Sequence, residues 1–261
     1  MPEGDTLHRA AMRVSAAIGG RILTDVRGGH PAIRGNRRRL LGATVEDVSA
    51  IGKHLVVRTS AQWTLRTHLG MTGSWHTYQR GEPWRITPGK ARVVLGTDHT
   101  VAVCFAAPYV ELGRTEDVIS GLDRIGPDLA LENPPLATII TRTETSPAES
   151  IADLLLDQHV ASGIGNVYKS EVMYLERQDP AQRADTVPRD QLERLYRRAN
   201  RLLLANVGDS RRTTTGNRGR ERTWVYGRNG RPCRRCGSIV RATTHGPLDR
   251  VTYWCPSCQS S

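Results

Sequence analysis

Two pairs of cysteines constrain the C-terminal part of this chain more than any other feature. Cys233 and Cys236 form one C-x2-C knuckle, Cys255 and Cys258 form another, and eighteen residues separate them. Each knuckle turns two thiolates toward one point, and two knuckles supply the four sulfur ligands of a tetrahedral ion such as zinc. Four protein ligands leave no open coordination position, so one zinc ion here would be structural. The segment from Thr223 onward is too small to fold on apolar burial alone and should depend on that ion. The fifth cysteine, Cys104, lies in the apolar run Val101–Phe105 and reads as a core residue. Cysteines clustered in this way suit metal binding in a reducing compartment better than a disulfide framework.

The chain has 261 residues, enough for one large domain or two ordinary ones. Its 37 basic and 26 acidic residues give a net charge of +11, which points to a polyanion, most naturally nucleic acid. A ribosome-like or merely arginine-biased protein would share that charge. Only Lys53, Lys90 and Lys169 are lysines, so 34 of the basic residues are arginine. An amine can release its proton in a suitable site where a guanidinium cannot, so each lysine marks a position worth following. There is neither an eighteen-residue apolar run nor a secretory leader, and the reading is a soluble, cytoplasmic protein with no membrane partner.

Asp5 or Thr6 can cap a helix in which Leu7, Ala11, Val14 and Ile18 recur at helical spacing until Gly19-Gly20. Short alternating runs follow at Arg21–Arg27, Thr44–Ser49, His54–Thr59, Trp63–His68, Arg92–Gly96 and Val101–Phe105. They predict an antiparallel sandwich or barrel. From about Glu111 to Pro147 the chain is rich in Gly, Pro and Thr, with short helical pieces, as in a hinge. Helices are then expected over Ala148–Gln158, Asn166–Arg177 and Arg189–Ala205, and Ser162-Gly163-Ile164-Gly165 links the first two. The expected class is α+β and multidomain. Residues 1–115 form a β-sandwich with a leading helix, 116–147 a linker, 148–222 a helical DNA-binding domain and 223–261 a zinc-ribbon finger.

Four separated segments carry a resemblance. They are Met1-Pro2-Glu3-Gly4, Ile51-Gly52-Lys53, Leu156-Asp157-Gln158 with Gly163-Ile164-Gly165-Asn166, and the double knuckle with Arg250 five residues before Cys255. In this order they resemble the formamidopyrimidine-DNA glycosylase and endonuclease VIII family, whose members combine a β-sandwich, a helix–two-turn–helix domain and a zinc finger. The resemblance implies base-excision repair of damaged DNA by a monomeric, nucleoid-associated enzyme, both glycosylase and abasic-site lyase, with no catalytic metal or organic cofactor.

By the same resemblance Pro2, freed of Met1, is the nucleophile toward the sugar C1′, through an iminium intermediate. Its place ahead of a helix N-terminus disfavours the protonated amine. Glu3 is implied as general acid on the sugar ring, Lys53 as a phosphate contact assisting β-elimination, and Arg250 as the finger arginine linked to δ-elimination. Asn166 and Arg124 are implied DNA contacts, and Met71 a wedge that enters the duplex where the base has left. The turn containing Gly165 presents backbone N–H groups at a helix start, an anion site suited to a phosphate. Taken alone, Pro2 is only a second residue, Lys53 and Arg250 surface charges, and the glycines turn residues.

The wedge of the formamidopyrimidine branch is incomplete here. Its Asp-Pro-Arg-Arg-Phe-Gly motif is replaced by Phe105-Ala106-Ala107-Pro108-Tyr109-Val110, and Phe105, the only phenylalanine, sits in a strand pattern. Together with Gly4-Asp5-Thr6, where the family usually has Pro-Glu after the glycine, this favours the endonuclease VIII branch and oxidised pyrimidines. Oxidised purines, or damage binding with weak catalysis, are the alternatives. A zinc-ribbon RNA-binding or transcription module would explain charge and cysteines but not Pro2, Glu3 and Lys53. An incomplete wedge also opens single-stranded or bubble DNA beside duplex, and Gly208–Glu221 is a loop that could close over a flipped base. If phosphate neutralisation supplies the affinity, binding should fall about a thousandfold or more between roughly 50 and 200 mM salt. A filter-binding titration that returned a shallow slope would contradict that reading of the charge.

Overall fold

A computed structural model describes residues 1–208, 211–217, 219–245 and 250–260. The chain divides into two compact units, Met1–Pro2 with Thr6–Arg124, and Glu3–Asp5 with Ile125–Ser261.

Helix α1 (Gly4–Ile18) leads the chain. In the first unit it is followed by β1 (Asp25–Arg27), α2 (Pro31–Asn36), β2 (Val45–Ile51), β3 (His54–Thr59), β4 (Trp63–His68), β5 (Ser74–Gln79), β6 (Ala91–Gly96), β7 (Thr100–Phe105), β8 (Tyr109–Arg114) and α3 (Thr115–Ser120). The strands make two antiparallel four-stranded sheets, in the orders β1-β6-β7-β5 and β2-β3-β4-β8. Val48, Leu55, Val57, Leu65, Val110 and Leu112 from one sheet meet Val26, Trp75, Val93, Leu95, Ala102 and Cys104 from the other. Leu7, Ala11, Val14 and Ile18 of α1 join the same core, so the expected sandwich with a leading helix is what forms. Cys104 is fully buried, and burial pushes its thiol far up, as befits a core residue.

The strands β6 and β7 read as nearly continuous apolar runs because both faces of their sheet are covered. Tyr78, Val94, Val103 and Phe105 turn to the second face, where Trp84 and Ile86 pack on them. Phe105 stands edge-on to both His76 and Trp84. The fold also differs from the sequence pattern in three places. The run Arg21–Arg27 forms a strand only over Asp25–Arg27, with Ile22 making an isolated bridge to Thr44. The strands Ser74–Gln79 and Tyr109–Arg114 lie outside the expected runs; pairing places them, β5 against β7 and β8 against β4 through Trp63↔Arg114 to His68↔Tyr109, while their polar residues stay partly or fully exposed. The stretch from Glu111 therefore begins as sheet edge and not as hinge.

The second unit is helical, with α4 (Leu136–Thr143), α5 (Ile151–Leu154), α6 (Asn166–Leu175) and α7 (Arg189–Val207), then a hairpin of β9 (Arg241–His245) and β10 (Arg250–Trp254). In α7 the buried Leu192, Leu195, Tyr196, Ala199 and Leu203 follow helical spacing and leave an arginine-rich outer face. By contrast α6 is enclosed all round, with Asn166 through Tyr174 buried. The helix expected over Ala148–Gln158 is confined to four residues. Ser150 caps it by accepting from Asp153 N–H at 3.2 Å, and it ends where Gln158 ties up the following turns. The Gln158 amide donates to the Leu156 and Ile164 carbonyls at 2.7 and 3.1 Å and accepts from Gly163 N–H at 3.2 Å, which builds the two-turn connection into α6. Among the described residues, no helix is long and apolar enough to cross a membrane.

Candidate active site

The backbone N–H groups at the start of α6 are occupied by a carboxylate of the chain itself. Glu3, wholly buried, accepts from Gly165 N–H at 2.9 Å, Val167 N–H at 2.8 Å and Tyr168 N–H at 3.3 Å. This corrects the expectation of an open phosphate site there: the anion that satisfies the helix N-terminus is Glu3. The contact needs glycine on both sides. A Cβ on Gly165 would lie 2.4 Å from Glu3 Cδ, and one on Gly4 would lie 2.9 Å from the Gly163 Cα, where Gly4 N–H donates to the Gly163 carbonyl at 2.9 Å. Two motifs far apart in sequence thus interlock through their backbones.

Around Glu3 stand groups that the sequence reading passed over. Asp5, also fully buried, receives a forked pair of hydrogen bonds from Arg212, Nε at 3.0 Å and Nη2 at 2.5 Å. The third guanidinium nitrogen, Nη1, is 3.7 Å from Glu3 Oε1, and the group lies 5.0 Å over the Tyr168 ring. Burial pushes the Tyr168 hydroxyl far up, with the Asp5 charge adding to it. One turn further along α6, Glu171 accepts from Trp224, Val225 and Tyr226 N–H at 2.8 to 2.9 Å and from the Thr214 hydroxyl. Its burial raises the carboxyl against the pull of those donors.

Asn166 is only 8% exposed, and its side-chain N–H donates to the Val251 carbonyl at 2.7 Å, so it braces the strand β10 that begins at the exposed Arg250. Lys169, one of the three lysines, is completely buried and donates to Thr252 Oγ1 at 2.7 Å; burial pulls its amine down to about 8.

In the first unit, Pro2 is half-buried and directly precedes Glu3; α1 starts at Gly4, so Asp5 and Thr6, the expected caps, lie inside its first turn. Lys53 is half-buried in the two-residue turn Gly52-Lys53 between β2 and β3, one residue before the predicted strand start. Beside it the outer face of the β2-β3-β4-β8 sheet carries a compact polar cluster. Arg66 Nε donates to His54 Nδ1 at 3.2 Å, and the His54 and His68 rings lie 5.0 Å apart. Burial, with Arg66, His68 and Lys53 adding to it, pulls His54 down to about 3, which keeps its Nδ1 an acceptor. Met71, in the turn after His68-Leu69-Gly70, is 70% exposed, and Arg124 is exposed at the end of the unit.

The four knuckle cysteines converge as their spacing predicts, with all sulfurs within 4.8 Å of one another. Cys233 and Cys258 Sγ are 3.9 Å apart, and Cys236 and Cys255 Sγ 3.4 Å. A tetrahedral zinc with thiolate bonds of about 2.3 Å needs sulfur separations of about 3.8 Å, so the donor set fits that ion.

Residues 1–108 match the N-terminal domain model of formamidopyrimidine-DNA glycosylase, and residues 125–217 match its H2TH domain model. The chain belongs to this glycosylase family. A probable endonuclease 8 2 of Streptomyces coelicolor is 39% identical over 263 residues, covering 100% of this chain and 94% of the relative. A DNA-(apurinic or apyrimidinic site) lyase, Nei2, of Mycolicibacterium smegmatis is 36% identical, with both chains covered completely. An Escherichia coli endonuclease 8 is 32% identical over 99% of this chain and 100% of its own length. In fold, the chain is similar to the Lactococcus lactis formamidopyrimidine-DNA glycosylase in complex with N7-benzyl-Fapy-dG DNA, with a TM-score of 0.83, 22% identity and full coverage of both chains. A second structure of that protein, bound to abasic-site DNA, gives the same score and identity over 99% of this chain and 100% of its own.

Within this glycosylase family frame, the sequence signals that could have exposed the missed residues are uneven. Lys169 was marked by the scarcity of lysine, and Asp5 by its departure from Pro-Glu. Arg212 is hidden among 34 arginines, and nothing local in Tyr168, Glu171 or Tyr226 announces what each contacts. Of the loop Gly208–Glu221, read from sequence as one that could close over a flipped base, residues 209, 210 and 218 lie outside the described residues; Arg212 within it is pinned to Asp5.

Two outcomes follow from this geometry. Gly165→Ala should expel Glu3 from its three donors and lower stability in urea by about 4–5 kcal/mol, given roughly 1.5 kcal/mol for each charged hydrogen bond. A variant with an unmoved urea midpoint would show that the contact contributes little. Removing metal from the cysteine cluster by chelation should abolish DNA binding in a fluorescence-anisotropy titration while the β-sheet circular dichroism signal persists; unchanged affinity after verified metal removal would overturn this.

Proposed function

We propose that the chain is a base-excision-repair enzyme, a DNA glycosylase that is also an abasic-site lyase, acting through Pro2. The observation that carries this reading is the seat of Glu3. A carboxyl group next in sequence to the nucleophilic amine is fixed by three backbone N–H groups and sealed from water, which suits a group that must deliver a proton at one place.

In the proposed course, the Met1-processed Pro2 nitrogen bonds to C1′ of an extruded nucleotide as the base departs. Glu3 gives a proton to the ring oxygen, which opens the sugar to an iminium. Loss of a C2′ proton then expels the 3′ phosphate by β-elimination, with Lys53 holding phosphate and assisting proton transfer. A second elimination expels the 5′ phosphate, with Arg250 at the finger, and leaves a one-nucleotide gap. Met71 fills the vacancy in the duplex, Arg124 contacts DNA near the lesion, and Asn166 with the Gly165 turn supports the grip on DNA from within, through β10 and Glu3.

The zinc ion is read as structural, held by Cys233, Cys236, Cys255 and Cys258 and supplying no chemistry beyond the folding of the finger. Each step above belongs to groups of the protein itself, the Pro2 nitrogen and the side chains around it. Oxidised pyrimidines are the favoured substrates, because Phe105 is locked in a core aromatic cluster and Tyr109 lies on a strand, where the purine branch would present its opposite-base wedge. The endonuclease 8 name on the relatives supports placing the chain in that branch. A cytoplasmic enzyme of the nucleoid fits this role.

Borohydride reduction of the iminium should crosslink the protein to abasic-site DNA. Pro2→Gly should lower the trapped yield at least about tenfold, since a primary glycine amine is a poorer substitute in this site. No trapped complex from a methionine-processed sample would defeat the reading in favour of a damage-binding protein, and full trapping by Pro2→Gly would relocate the nucleophile.

A further inference from the structure

The second unit buries two carboxylates, Glu3 and Asp5, with one guanidinium between them. Arg212 is 16% exposed at its side chain while both acids are wholly enclosed. Its Nε and Nη2 edge grips Asp5, and its Nη1 faces Glu3 from 3.7 Å, outside hydrogen-bond reach. The guanidinium is not free to choose this pose. Thr213 N–H donates to Asn206 Oδ1 at 2.8 Å, Asn206 Nδ2 returns to the Thr213 carbonyl at 2.9 Å, and the next residue, Thr214, is fixed to Arg222 and Glu171. The Tyr168 ring covers its face. The loop thus sets Arg212 in place before any DNA is bound.

We propose that Asp5 and Arg212 are a positioning pair for the catalytic acid: Asp5 takes the hydrogen-bonded fork of the guanidinium, so that Arg212 steadies Glu3 through a 3.7 Å ion pair outside hydrogen-bond reach. This rests on the reading of Glu3 as general acid. An acid that donates a proton must be able to recover it, and a full Arg–carboxylate fork on Glu3 would oppose that. With no cation at all, two buried carboxylates would face each other and hold a proton too tightly. Sharing Arg212, with the fork on Asp5 and only the charge felt by Glu3, lies between these extremes. Asp5-Thr6 stands where the family usually has Pro-Glu. Other ionisable groups facing the cluster within the unit are Tyr168 and Lys169 of α6 and Tyr226 ahead of the finger; each feels the charge of Glu3 and is unchanged in the test.

The test is the single-turnover rate of borohydride-trapped complex formation on a duplex with one preformed abasic site, followed from about pH 5 to about pH 9. This probe needs ring opening but no particular base. Arg212→Met should move the acid-dependent limb of the profile up by roughly one pH unit, and Asp5→Asn should move it down by a similar amount. Asp5→Asn with Arg212→Met should return toward the wild-type profile, and Arg212→Lys, which keeps charge but loses the fork, should fall between. Opposite displacements are the signature, since a merely structural role would slow all variants without moving the limb. Unmoved profiles, or two shifts of the same sign, overturn the proposal. Should Arg212→Met fail to fold by thermal melting, Asp5→Asn and Arg212→Lys decide it by the same criteria. Glu3→Gln separates the two levels: if it keeps the wild-type rate, the reading of Glu3 itself fails. If it is inactive while the other variants show unmoved limbs, only the positioning pair falls.

Discussion

The second unit is organised around one carboxylate at one helix end. An α-helix leaves its first N–H groups without partners, and a helix enclosed on every side, as α6 is, cannot turn them to water. Glu3 resolves this from more than 160 residues away in sequence. The arrangement demands that two backbones approach closely, which is why Gly4 and Gly165 stand where they do, while Gly163 between them adopts a φ of +106° that favours glycine. It also consumes the helix-end charge that would otherwise attract a phosphate. Glu171 repeats the device one turn along, where a buried carboxylate gathers the backbone leading into the finger. The enclosed helix is therefore a rod with two acid sockets, one for the start of the chain and one for the approach to the metal module.

Much of the fold was legible because its signals are local. The leading helix announces itself by Leu7, Ala11, Val14 and Ile18, and the sandwich by its alternating runs, and these residues do form one core. The knuckles converge because a C-x2-C turn determines the direction of its own sulfurs. The failures have different physical sources. Strands β5 and β8 are completed by sheet partners far away in sequence, whereas α5 is cut short within its own neighbourhood, where Gln158 ties Leu156, Gly163 and Ile164 into turns that compete with the helix.

The candidate site divides in the same way. Glu3, Gly165 and Asn166 were singled out in motifs, but their mutual geometry reverses the simplest expectation: the glycine turn binds an acid of the chain, and the asparagine spends its amide on β10. Arg212 and Tyr168 could not be found from sequence, because their meaning lies wholly in what they touch. The cluster of His54, Arg66, His68, Tyr109 and Glu111 was equally invisible, since its members come from three strands and meet only across the sheet.

The long span between Glu3 and its donors has a consequence for biogenesis. A ribosome delivers residues 1–18 well before residues 163–168, so through much of synthesis the N-terminal segment has no socket and remains exposed. Once α6 emerges, Glu3 is drawn into the interior and the start of the chain is fixed in place. The seating of the chain's start is thereby timed by nothing more than the distance along the chain between an acid and the helix that receives it.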